Sequence, residues 1–381
     1  MPDLRYDPVN DQWIAIAENR IGRPSEFEPS ARPNPLVQCP FCAGNEDATP
    51  PSIAAYTPSA TFPEPDRPTT HTPRNGNHVS SGLKQSSSSN SQSAVAVWED
   101  SDVPLPADWV TRVIPNRFPA FGADAPGIAM RLVDSIAGTP YAASGSETNY
   151  QELIIESSRH VSGYAELSPT ELEFAFLVYR DRLLALQHGT GLRHAMLFKN
   201  CRYEAGASLA HVHSQLIAMD FVPPAIEAKC SRLAQVGEQN PAQLVLKKIV
   251  EFETKEKLRV VAETENWVAF CPFSSRFAFQ VWIVAKQNMG PYWSQTNRQL
   301  KELATLTQGL VTALETALEF PAYNVLFHNP PFGRKNDSGQ SYVELFARVS
   351  NPAGFEWGTN CWINPVSPET SARRLRDAFG N

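Results

Sequence analysis

The stretch Gly206-Ala207-Ser208-Leu209-Ala210-His211-Val212-His213-Ser214-Gln215-Leu216-Ile217-Ala218 decides how the rest of this chain is read. As a strand from His211 to Met219 it alternates side chains between two faces, which sets His211, His213 and Gln215 on one of them. Buried imidazoles and amides need hydrogen-bond partners where a Leu or Val would need none, so such a row points to chemistry; an exposed polar strand face is the plain alternative. Neutral imidazole is abundant near neutral pH, its reference pKa being about 6.5, and it attacks phosphorus without a separate base. If a metal holds His211, His213 is free for that attack on the same strand. Gln215 is then placed to donate to a phosphoryl oxygen, with backbone amides around Gly206 to Ser208 as further donors. Ser208 reads equally well as a turn residue.

Outward from this strand, the same order of elements occurs twice. Ser168-Pro169-Thr170-Glu171 supplies an N-cap, a first-turn proline and a capping-box glutamate, predicting a helix to about Gln187 with Leu172, Phe176, Leu183 and Leu186 on one stripe. Thr296 to about Glu319 repeats that character through Leu300, Leu303, Leu310, Leu314 and Leu318. Strand-like text precedes each helix, at Glu152 to Glu156 and Phe279 to Ala285, and follows each, at Met196 to Asn200 and Val325 to Asn329. A further strand comes after each, at His211 to Met219 and Tyr342 to Val349, and a last helix is expected from the cap Ser367 towards Gly380. The repeated order predicts a diverged duplication: an α+β fold of two halves, 1–220 and 221–381, with mainly antiparallel sheets and packed helices. Between about 57 and 93 the text turns to Pro, Ser, Thr and Asn and reads as a disordered insertion, in which His71 and His78 are solvated and carry no role.

With 381 residues the chain exceeds what one core usually serves, and its formal charge of −7 without a long basic run argues against a nucleic acid polymer as partner. No run approaches the roughly 18 apolar residues that span a bilayer, and the start Met-Pro-Asp-Leu-Arg-Tyr lacks a signal peptide's blocks, so no membrane and a cytoplasmic location are expected. Of six cysteines only Cys39 and Cys42 lie close together, at the spacing that lets two thiolates grip one tetrahedral ion such as zinc. A redox dithiol or two unrelated thiols remain open on spacing alone. His160 and His211 are the candidates to complete a Cys2His2 set that ties the N-terminal segment to the sheet, although His160 taken singly reads as a surface residue.

Together these residues resemble the active-site motif of the histidine triad superfamily in its nucleotidyltransferase branch, above all the galactose-1-phosphate uridylyltransferase family, with the ADP-glucose phosphorylases near it. Arg5-Tyr6-Asp7-Pro8 with Asp11-Gln12-Trp13 is similar to the family's opening, Arg20 and Arg23-Pro24 to its arginine segment, and Cys39-Pro40-Phe41-Cys42-Ala43-Gly44-Asn45 to its zinc knuckle. Asn116-Arg117-Phe118-Pro119 resembles its nucleoside-contacting turn, and Gly354-Phe355-Glu356, Gly358-Thr359 and Ile363-Asn364-Pro365 resemble its sugar-phosphate segment. The resemblance implies two histidine-triad-like halves and a ping-pong exchange. His213 takes a nucleoside monophosphate from a nucleotide sugar, releases a sugar 1-phosphate, and passes the nucleotidyl group to a sugar 1-phosphate or phosphate. It implies zinc on Cys39, Cys42, His160 and His211; a phosphate pocket of Asn200 and Ser208; Gln215 steadying the phosphoryl group; Arg20 and Arg23 facing anionic substrate; and substrate contacts at Asn116, Phe355 and Gly358. A homodimer is implied likewise. The expected reaction is UDP-glucose:hexose-1-phosphate uridylyl transfer. Adenylyl transfer from ADP-glucose to phosphate, nucleotide hydrolysis and non-catalytic nucleotide binding are the alternatives. Ala207 before Ser208, and Val212 rather than proline between the histidines, lean to the ADP-glucose side. Of the second metal site that many members carry, only His328 remains.

Overall fold

Two capping boxes place the long helices. In the computed structural model, which describes residues 3–18, 38–65, 105–120, 150–188, 191–235, 241–334 and 340–379, α1 (Pro169–Gln187) begins at Ser168 and α4 (Asn297–Leu318) at Thr296. Each cap hydroxyl accepts the backbone N–H three residues on, and the Glu171 or Gln299 side chain accepts the cap's own N–H. Two of the donors that a helix start leaves open are thereby satisfied. The expected stripes are buried: Leu172, Phe176, Leu183 and Leu186 on α1, and Leu300, Leu303, Leu310 and Leu314 on α4. Full burial of each such side chain contributes about 1.5–3 kcal/mol.

The remaining elements are β1 (Asp3–Asp7), β2 (Gln12–Ile16), β3 (Ala54–Tyr56), β4 (Thr111–Pro115), β5 (Tyr150–Ile155), β6 (His194–Cys201), β7 (His213–Met219), α2 (Pro224–Gln235), α3 (Pro241–Glu256), β8 (Val260–Glu263), β9 (Trp267–Phe270), β10 (Val281–Ala285), β11 (Tyr323–His328), β12 (Tyr342–Ala347), α5 (Gly354–Thr359), β13 (Trp362–Asn364) and α6 (Pro368–Phe379). Ten strands form one sheet in the order β3-β4-β5-β7-β6-β11-β12-β10-β9-β8, with every neighbouring pair antiparallel. The fold is α+β and its large sheet antiparallel, as expected. From the central pair β6 and β11, where Leu197 faces Phe327 and Phe198 faces Leu326, the order reads the same in both directions.

One face of this sheet carries the main core. Ile154, Leu197, Leu216, Val325 and Leu345 pack there against Phe176 of α1, Leu310 of α4 and Leu375 of α6. On the opposite face, Leu246 and Val250 of α3 cover Phe270 and Trp282. A small sheet, β1-β2-β13, brings Ile14 and Trp362 over Phe346. Over β5, β7 and β6 that face is less covered, and Gln151, Leu153, Gln215, Ile217, Met196, Phe198 and Asn200 are only half-buried.

The structure corrects several expectations. Regular pairing of β7 begins at His213, opposite Ile155, so His211 lies just ahead of the strand. The reason is that Val212 N–H donates to Val161 O at 2.7 Å and His211 to Ser157 O, which pins this stretch to the loop after β5 instead of to a neighbouring strand. The proposed insertion starts later than 57, because Phe62 stacks on Tyr56, and Arg180 and Asn297 donate to the carbonyls of Pro63 and Phe62. Residues 66–93, His71 and His78 among them, lie outside the described residues, as do Arg20 and Arg23. Phe279 adopts φ +57°, which delays β10 to Val281. The helices α2 and α3, each opening on a proline, and the small sheet are additions to the expected elements. No helix among the described residues is long and apolar enough to cross a membrane.

Candidate metal centre and active site

The knuckle is a tight turn closed on itself. Cys42 N–H donates to Cys39 O, Asn45 donates to that same oxygen from its side chain at 3.0 Å, and Gly44 takes φ +87°, a conformation that glycine adopts without a Cβ clash. Ala43 N–H donates to Ser158 O, which draws the turn onto the loop carrying His160. The ligand atoms of Cys39, Cys42, His160 and His211 consequently lie within 4.8 Å of one another. Cys39 Sγ stands 3.5 Å and Cys42 Sγ 3.6 Å from His211 Nδ1, and Cys42 Sγ stands 3.4 Å from His160 Nδ1.

The donor set fits a metal ion. His211 Nε2 bonds Ser157 O at 2.8 Å, so this nitrogen carries the hydrogen and leaves the Nδ1 lone pair facing the thiols. Burial pushes the His211 imidazole down to about 4 and, with the charge of Cys39, pushes the Cys42 thiol up to about 11. A divalent cation between the four groups offsets the cost of the buried thiolate, and the His211 ring is already in the neutral form that such a cation binds.

Two residues along, His213 is 5% exposed, and its Nδ1 lies 2.7 Å from His211 O. A carbonyl only accepts, so Nδ1 carries the hydrogen and the lone pair resides on Nε2. Burial, reinforced by the Lys199 ammonium, lowers the His213 pKa and favours the neutral ring. The Phe41 ring meets both imidazoles edge-on, with centroids 5.9 Å from His211 and 5.4 Å from His213, which sets the two histidines on one side of the backbone. Val212 and Ser214 point the other way, into the core beneath α1.

Beneath His213 lies a buried ionic network that sequence reasoning missed. Lys199, 1% exposed, donates to Glu156 Oε2 at 2.5 Å and to His213 O at 2.9 Å, and its ammonium sits 4.5 Å from the Tyr164 ring centroid. The other Glu156 oxygen accepts the hydroxyls of Tyr179 and Ser214. The available signal was parity: Lys199 falls at a core-facing position of β6, where a charge demands a partner.

Gln215 follows His213 on the same face, and its Oε1 accepts from Gln151 Nε2 at 3.3 Å. Asn200 Oδ1 accepts from Asn324, and its Nδ2 lies 3.4 Å from the carbonyl of Gly206, which holds φ +94° in the turn before the exposed Ser208. Asn116 N–H donates to Gln151 O, and Asn116 Oδ1 accepts Phe118 N–H, forming a turn whose Arg117 lines a cavity of about 280 Å³ together with Asp47, Ala48, Thr49 and Pro50 just past the knuckle. Phe355 and Gly358 are elsewhere. They lie on α5 beside β13 of the small sheet, with Phe355 53% exposed, and the chain does not bring them to His213. His328 Nε2 lies 2.7 Å from the Glu344 carboxylate, whose other oxygen accepts from Arg276 and Gln280. Burial pushes Glu344 up, but the Arg276 charge and these hydrogen bonds outweigh it and hold the carboxyl at about 2.

Comparison with known proteins finds relatives and shared folds along nearly the whole chain. The chain is 25% identical to an ADP-glucose phosphorylase of Arabidopsis thaliana over 99% of its own length and 93% of that protein's. It is also 25% identical to a galactose-1-phosphate uridylyltransferase of Thermotoga maritima over 99% and 98%. Its fold is shared with the crystal structure of an Arabidopsis thaliana ADP-glucose phosphorylase with bound ADP-glucose, at TM-score 0.71 and 22% identity over 99% and 98% of the two chains. A uridylyltransferase structure gives TM-score 0.66 at 20% identity over 100% and 99%. The family model described as "Domain of unknown function (DUF4921)" matches residues 162–379, from the loop after His160 to the end of α6, and since this is more than half of the chain, the protein belongs to that family.

Proposed function

We propose that the protein is a zinc-containing nucleotidyltransferase acting on nucleotide sugars, with His213 as nucleophile. The observation that carries this reading is the His213 tautomer. Nδ1–H is committed to His211 O, so Nε2 offers its lone pair on the half-open face shared with Gln215. In the first step that lone pair attacks the α-phosphorus and forms a P–N bond. The bond to the bridging oxygen breaks, and its electron pair leaves with the sugar 1-phosphate. The positive charge left on the ring is balanced by His211 O, which already accepts the Nδ1 hydrogen. In the second step an oxygen of a sugar 1-phosphate or of phosphate displaces the imidazole and regenerates His213. Gln215, Asn200 and Ser208 are the donors we assign to the phosphoryl oxygens. Asn116 and the cavity beside Arg117 are the nucleoside contact, with Arg20 and Arg23 as further substrate contacts.

Zinc on Cys39, Cys42, His160 and His211 has four protein ligands, the complement of a closed structural site. Its contribution is to fasten the knuckle to the segment that enters β7. The reading extends to a cytoplasmic homodimer in which each chain comprises two histidine-triad-like halves, 1–220 and 221–381.

UDP-glucose with a hexose 1-phosphate is the first donor and acceptor pair. ADP-glucose with phosphate is favoured by Val212 between the histidines and by the match to the Arabidopsis thaliana ADP-glucose phosphorylase. Incubation with UDP-glucose or ADP-glucose labelled in the nucleotide phosphate, followed by mildly alkaline isolation, leaves label on the wild type and none on His213→Asn. Equal labelling of the two proteins, or none from either donor, would refute the assignment.

A further inference from the structure

Phosphoryl transfer at this site needs the NH2 end, not the oxygen end, of the Gln215 carboxamide to face the phosphate. A carboxamide's two ends have nearly the same shape and opposite hydrogen-bonding character, so which one faces the site is decided by neighbours. Ala120 N–H donates to Gln151 Oε1 at 2.8 Å. A backbone N–H only donates, so the oxygen of Gln151 is held on that side and its NH2 is turned the other way. That NH2 donates to Gln215 Oε1 at 3.3 Å, which leaves Gln215 Nε2 directed away from β5. Gln151 is further tethered through its own carbonyl, which accepts Asn116 N–H at 2.8 Å. The register supports the same relation, since Gln215 lies opposite Leu153 on β7 and Gln151 is the next residue along that face of β5.

We infer that Gln151 is a positioning residue that locks the Gln215 carboxamide with its NH2 end towards the transferring phosphoryl group, through a relay anchored on the Ala120 backbone N–H. This inference rests on the transferase reading of His213. The relay also couples the 116–120 turn to the phosphoryl site, because the same Gln151 contacts Asn116 and Ala120 on one side and Gln215 on the other.

A double-mutant cycle tests it. Gln151→Glu keeps the shape but loses the NH2, so the carboxylate accepts from Gln215 Nε2 and turns the Gln215 oxygen towards the phosphate. Single-turnover labelling of His213 from ADP-glucose or UDP-glucose, whichever labels the wild type, should slow about 10²-fold in Gln151→Glu, the scale for loss of one oxyanion donor. In the Gln215→Ala background the same change should cost less than about 5-fold, because no amide is left to invert. Gln151→Leu unlocks the amide without reversing it or adding charge, and should cost about 3–10-fold. Equal losses in both backgrounds would overturn the inference, as would a Gln151→Leu loss exceeding that of Gln215→Ala.

Side-chain amide hydrogen exchange supplies a readout that needs no turnover. The Gln151 NH2 is protected in the wild type and loses that protection in Gln215→Ala, and equal exchange in the two proteins overturns the relay. A wild type that takes no label while keeping this protection refutes the transferase reading and leaves the Gln151 to Gln215 hydrogen bond standing.

Discussion

Replacing Lys199 with methionine removes a charge from a site that has almost no water. Lys199 is 1% and Glu156 0% exposed, and the ammonium serves both Glu156 at 2.5 Å and the His213 carbonyl at 2.9 Å. Methionine keeps the approximate length and apolar stem, so the loss is not chiefly a cavity. It is a buried carboxylate stripped of its counter-charge, held only by Tyr179 and Ser214, together with a carbonyl stripped of a donor. Breaking a buried pair by removing one partner costs about 3–5 kcal/mol. With a urea slope of about 3 kcal/mol/M, that is a midpoint lower by roughly 1–1.7 M. Lys199→Met with Glu156→Gln leaves no net charge behind and should recover at least about 2 kcal/mol of the loss. Tryptophan fluorescence in urea reads both changes. A single variant within about 0.3 M of wild type, or a double variant worse than the single, would refute the claim that this ion pair supports the strand beneath His213.

Three further outcomes follow from other parts of the structure. Metal analysis of Cys39→Ser with Cys42→Ser should show one equivalent of zinc fewer than wild type, and unchanged content would remove the proposed site. Gly206→Ala should cost about 1–2 kcal/mol, because φ +94° is strained for any residue with a Cβ and the added carbon meets Asn200 Nδ2 at 3.4 Å; a urea midpoint unchanged from wild type would contradict this. Burial pushes the Glu171 carboxyl up, but hydrogen bonds from Arg159, Ser157 and Ser168 outweigh it and hold the group at about 2 against an ordinary 4.5. A depressed carboxyl contributes stability that is whole above about pH 4.5 and disappears as pH falls towards 2. Glu171→Gln should therefore be less stable than wild type at pH 6 and converge with it near pH 2. A thermal-unfolding difference that is flat across this range would contradict the assignment.

What could be read from the sequence was whatever short-range rules govern. Ser168 and Glu171, or Thr296 and Gln299, lie one helical turn apart, so their capping boxes are visible in the sequence and appear as expected. Alternation along β7 likewise determined that His213 and Gln215 share a face while Ser214 turns into the core, since a strand's period is a property of its own backbone. The cluster of Cys39, Cys42, His160 and His211 that could hold a metal ion was also legible, because cysteine spacing and the scarcity of histidine narrow the choice to few candidates.

Everything that depends on who meets whom across long separations was left to the tertiary structure. The pairing of β13 with β2, the removal of Phe355 and Gly358 to that small sheet, and the Glu344 carboxylate that takes up His328 have no local signature. The same holds for the ion pair of Lys199 with Glu156, and for the hydrogen bond by which Gln151 orients Gln215. Periodicity tells a side chain which face to occupy. Only the register of neighbouring strands decides which partner waits there, and in the low dielectric beneath a sheet that partner determines whether a charge or an amide can be held in one orientation.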